Sequence, residues 1–66
     1  MNFGENLRAA RLKTGFSQAR VARNAGLDVR TVLRIEAGEN IPRIDTANAL
    51  ALAVGSTLEE LLEQGE

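Results

Sequence analysis

Apolar residues recur along this chain at spacings of three and four, with no strand-like alternation of β-branched side chains, and a glycine or proline interrupts each run. The first run predicts a helix from about Phe3 to Thr14, with Phe3, Leu7 and Ala10 on one face and Gly15 supplying the left-handed ending. A second helix follows almost at once. Ser17 is a good N-cap, and Phe16 before it can pack on Val21 four residues into the helix, a hydrophobic staple. Arg20 stands where a glutamate would complete the capping box, so only half of that device is expected. Gly26 should stop this helix near Ala25. The same arrangement then recurs, with Leu27 as the staple residue, Asp28 as the cap and Val32 as the packing partner, opening a third helix from about Val29 to Ala37. Two short helices joined by a glycine-containing turn of about three residues are the expectation for a helix-turn-helix.

Gly38 to Pro42 reads as a loop, because Pro42 cannot continue a helix. A fourth helix is expected from Arg43 or Ile44 to Val54, with Ile44, Ala47, Leu50, Ala51 and Val54 at core spacing and Gly55 closing it. A fifth runs from Thr57 or Leu58 to about Glu63, and Thr57 with Glu60 makes a full capping box. Gln64 to Glu66 are expected to fray. With no internal repeat, linker or low-complexity stretch, residues 1–66 read as one all-α domain of five helices.

Composition narrows the chemistry. A chain of 66 residues supports one core and buries only about 60% of its unfolded surface, which leaves no room for a sensor or oligomerisation domain of ordinary size. Neither cysteine nor histidine is present, which removes disulfides, thiolate chemistry, the usual zinc sites and the most common general base. No nucleophile, base and orienting group can be assembled from the remainder, so an enzyme is not expected, nor a metal or cofactor. The longest apolar run, Ala49 to Val54, is far short of the ~20 residues of a membrane span. The N-terminus has no basic stretch followed by an apolar segment. The expectation is a soluble cytoplasmic protein.

The net charge of −1 is unlike that of most nucleic-acid-binding domains, but the charges are unevenly distributed. Residues 1 to 34 carry seven basic against two acidic side chains, and residues 35 to 66 carry one basic, Arg43, against seven acidic. This asymmetry suggests one half turned to a polyanion and one turned to solvent or a partner.

Ser17-Gln18, Val21-Ala22, Gly26-Leu27-Asp28, Val32, Ile35, Glu36-x-Gly38, Pro42 and the Leu50 to Leu62 tail together resemble the phage repressor and Cro-type (XRE) helix-turn-helix regulators. The resemblance covers almost the whole chain and implies a lambda-repressor-like bundle that binds operator DNA as a transcriptional regulator, most often a repressor. It implies a phosphate contact for Gln18 and for the loop after the recognition helix. It also implies a partly buried ion pair between Arg11 and Glu36 that sets the angle of the third helix. Two positions depart from the family. Val29 replaces a residue that is often polar, so Gln18 has no glutamine partner there, and Ser56 replaces an apolar residue, which should loosen the junction before the fifth helix.

The third helix supports the same reading on physical grounds. At roughly 100° per residue, Val32, Ile35 and Glu36 share one arc and Val29, Arg30, Leu33 and Arg34 share the other. Arginines that reach guanine edges and methyl groups that reach thymine suit a helix in the major groove. Arg30 and Arg34 are therefore assigned to bases or phosphates, and Val29 and Leu33 to apolar groove contacts. Gln18, Thr31, Asn40 and Arg43 are the phosphate candidates, since such contacts set register without reading sequence, while Arg20 and Arg23 add diffuse attraction. Two-fold operators imply a homodimer. Leu58, Leu61 and Leu62 are its expected surface, being too many for a two-turn helix to bury, and simple closure of the core is the alternative role for the same three residues. The competing reading, from a different class, is an antitoxin-like or adaptor module whose Val29 and Leu33 dock a protein instead of bases.

Overall fold

In a computed structural model of the chain, residues 2–63 are described. Among them the fold is all-helical: α1 (Phe3–Thr14), α2 (Gln18–Ala25), α3 (Val29–Glu36), α4 (Ile44–Ala53) and α5 (Leu58–Leu62). The expected fraying of Gln64 to Glu66 falls outside the described residues.

Local chemistry accounts for most boundaries. The Ser17 hydroxyl accepts the Arg20 N–H at 3.0 Å, and the Asp28 carboxylate accepts the Arg30 N–H at 2.8 Å, so each helix of the central pair begins on a side-chain cap. Between them Gly26 adopts φ 73°, a left-handed conformation that costs a residue with a Cβ. The Gly26 N–H then reaches the Arg23 carbonyl and the Leu27 N–H reaches the Ala22 carbonyl at 2.8 Å, the paired bonds of a Schellman ending. That ending turns the chain sharply enough for α3 to pack back on α2. Thr57 and Glu60 form the reciprocal capping box of α5. A second box, Asn2 with Glu5, opens α1.

The core lies where α2 packs on α3 and α4, α1 on α3 and α5, and α5 on α4. Leu7, Val21, Val32, Ile35 and Leu50 are its largest fully buried side chains, with Phe3, Ala10, Phe16 and Leu27 packed against them.

Three features differ from expectation. Ile44 has core spacing but is 68% exposed, because it occupies the first position of α4 and the neighbouring helices cover that face only from Ala47 onward. Leu61 is 3% exposed, so it closes the core against α1 and α4 and is not part of an outer surface. Leu58 is half-buried and Leu62 is 49% exposed. Finally, the junction before α5 is closed and not loosened. The Ser56 N–H donates to the Ala51 carbonyl at 2.8 Å, and Val54 and Leu61 are buried on either side.

Two long-range contacts set the position of α1. Gly4 lies directly against the end of α3, where an added Cβ would overlap the Ile35 carbonyl oxygen. The Asn6 amide donates to the Leu61 and Glu63 carbonyls at 2.8 and 2.7 Å, supplying donors to acceptors left open at the C-terminus of α5. Gly4→Ala is therefore expected to force α1 from α3 and to cost about 2 kcal/mol, an overpacking penalty. Thermal unfolding followed by circular dichroism checks this, with a drop of about 10 °C expected for a domain of this size.

Candidate nucleic-acid interface

The α2–α3 pair presents two opposite faces. Inward, Val21, Ala22, Val32 and Ile35 are buried. Outward, α3 shows Val29 at 38% and Leu33 at 45% exposure, flanked by exposed Arg30 and Arg34. With its side chains an α-helix is about 10–12 Å across, comparable with the ~12 Å width of the DNA major groove. Thr31 is half-buried on the same helix, and Asn40 and Arg43 are exposed in the segment that follows it. Arg43 lies 4.0 Å from Asp45 with both side chains largely in solvent, a loose pairing that leaves the guanidinium available to another anion. Arg20, by contrast, lies 4.2 Å above the Phe16 ring, which orients a side chain that sequence reasoning left diffuse.

Beneath this face is a buried charge cluster. Arg11 Nε donates to Glu36 Oε2 at 2.7 Å and Arg11 Nη2 to Glu36 Oε1 at 3.0 Å, with side-chain exposures of 10% and 3%. The parallel two-bond geometry is the strongest form of such a pair. Arg11 Nη1 also donates to the Phe16 carbonyl at 3.0 Å, so one guanidinium joins α1, the entry to α2 and the last residue of α3. Gln18, the first residue of α2, completes the cluster by donating from Nε2 to Glu36 Oε1 at 3.0 Å. The sequence alone points Gln18 outward to a phosphate and does not reveal this last bond. The two residues are eighteen positions apart, and only the packing of α2 on α3 brings them together. No described buried side-chain nitrogen or oxygen lacks a partner.

The helix-turn-helix family model matches residues 7–61, which takes in all of α2 to α4 and most of α1 and α5. The restriction-modification controller protein C.AhdI from Aeromonas hydrophila is similar at 33% identity and a TM-score of 0.87, over 91% of each chain. The chain belongs to the Cro/C1-type helix-turn-helix family. Other family structures resemble it closely. The DNA-binding domain of the P22 C2 repressor is 26% identical with a TM-score of 0.89, over 100% of this chain and 92% of that one. A hypothetical transcription factor, NHTF, from Neisseria is 30% identical with a TM-score of 0.87, over 92% and 70%. No curated protein matches by sequence at a significant level. DNA-binding transcriptional regulation is the function that follows from membership of this helix-turn-helix family, whose members are typically not enzymes. Among the described residues, no helix is long and apolar enough to cross a membrane.

The buried pair makes a stability prediction. Arg11→Met strands the Glu36 carboxylate and should cost about 3–5 kcal/mol in urea unfolding. Replacing both members, as Arg11→Met with Glu36→Leu, should restore much of that loss, because an apolar pair leaves no charge uncompensated.

Proposed function

We propose that the chain is a sequence-specific operator-binding repressor that lays α3 in the major groove and acts as a homodimer in the cytoplasm. The observation that carries this reading is the outward face of α3, where two arginines and two aliphatic side chains alternate at the surface of a helix whose other side is fully buried. Arg30 and Arg34 present planar donors suited to the paired acceptors of guanine, and Val29 and Leu33 present methyl groups suited to thymine. Gln18, Thr31, Asn40 and Arg43 hold the backbone on either side and set the register. One eight-residue helix reads only a few base pairs, so two copies on half-sites about one turn, ~34 Å, apart supply the remaining specificity.

The exposed Leu62 and half-buried Leu58 support a pairing surface at α5. An apolar groove of about 300 Å³ beside Leu62, lined by Phe3, Ile35, Ile41 and Pro42, extends it. Ile41 at 93% exposure stands at its edge. An isologous interface needs both a protruding and a receiving element on one surface, and this patch has both.

Affinity for a random duplex should fall linearly in log-log form with salt, with a slope of about −2 to −3 per domain if two or three arginines neutralise phosphates. A duplex selected from a random library should contain a two-fold repeat, and Arg34→Ala should weaken that operator by about tenfold or more while weakening random duplex far less. Equal losses on both, measured by fluorescence anisotropy, would assign Arg34 to phosphate. No salt-dependent binding at all would transfer Val29 and Leu33 to a protein partner.

A further inference from the structure

The Gln18–Glu36 bond bears on how the DNA face is held, and the inference drawn from it rests on the DNA-binding reading above. A primary amide can turn either its oxygen or its NH2 group toward a neighbour. Both neighbours of Gln18 in the DNA-bound state, the Glu36 carboxylate and a backbone phosphate, are acceptors only. Glu36 Oε1 already takes one hydrogen from Gln18 Nε2. The amide sense is thereby fixed, and the second Nε2 hydrogen is the only donor left on that side chain for a phosphate.

Two anions sharing one NH2 group repel each other unless one is neutralised. Arg11 does this with its two bonds to Glu36, from a position that is itself buried. We propose that Glu36 is a positioning residue for DNA binding: its carboxylate, neutralised by Arg11, orients the Gln18 amide so that the remaining Nε2 hydrogen is presented to a DNA phosphate. Glu36 does so from the buried C-terminal end of α3.

The test uses the full chain, isotope-labelled on nitrogen, titrated with a random-sequence duplex at low salt. Only two glutamines occur in the chain, so Gln18→Met assigns the Gln18 side-chain signals without ambiguity. In the free protein the two Nε2 protons should be widely separated, one shifted downfield and protected by Glu36, and on DNA the other should move. Gln18→Met should weaken random-duplex binding by about tenfold. The salt slope should not change, since no charge is removed. In a Glu36→Gln background the same substitution should cost under about threefold, because residues that act as a unit are not additive.

Three results would overturn the proposal. A rapidly exchanging Gln18 amide with ordinary shifts in the free protein removes the orienting bond, and this measurement on the wild-type chain decides alone if Glu36→Gln does not fold. Equal losses for Gln18→Met in both Glu36 backgrounds remove the coupling, and either of these leaves the DNA-binding reading intact. Absence of any wild-type binding at low salt removes both.

Discussion

The ion pair between Arg11 and Glu36 is the constraint from which the remainder of the site follows. Both side chains are buried, so neither charge is tolerated without the other. Carried on α1, the guanidinium directs its donors to two other elements: it grips the last residue of α3 and holds the Phe16 carbonyl at the entry to α2. A helix-turn-helix pair alone is two eight-residue helices, each shorter than the ~12–15 residues at which helices become even marginally stable in isolation. Tying both to a twelve-residue α1 fixes the angle of α3 and the direction in which its outward face points.

The charge distribution follows the same division of labour. The chain is slightly acidic overall, so affinity for DNA cannot come from a general positive field. It has to come from a few cations placed on one face. Arg30 and Arg34 are carried by α3 and Arg43 follows it, while three of the acidic residues, Glu59, Glu60 and Glu63, lie on or next to α5, whose packing partners are α1 and α4. A small number of phosphate contacts gives weak non-specific binding, which leaves more of the discrimination to the base contacts and the pairing of two copies proposed above.

Much of this was legible in the sequence because the signals are local. Ser17, Gly26 and Asp28 act on backbone groups two to four residues away, so the turn and both helix starts can be read from neighbours. The two arcs of α3 follow from helical periodicity alone. What was not legible depends on distant partners. Nothing near Gly4 announces that the Ile35 carbonyl occupies the space of its missing side chain, and nothing near Asn6 indicates that it bonds the end of α5. Ile44 and Leu61 carry the same apolar signal, yet one is exposed and the other buried, since spacing identifies a helix face but not whether another element reaches it. The bond between Gln18 and Glu36 is equally hidden in the sequence, because it exists only once α2 and α3 are packed.

In the function proposed above, the outward face of α3, held from behind by Arg11 and Glu36, is the surface that meets DNA. The most direct measurement is a map of backbone amide shifts across the labelled chain during titration with duplex DNA. Arg30, Leu33, Arg34 and Gln18 are expected to move most, with Asn40 and Arg43 following and the exposed Leu52 face of α4 unchanged. Shifts centred on Leu52, or on Ile41 and Leu62 with α3 silent, would contradict it.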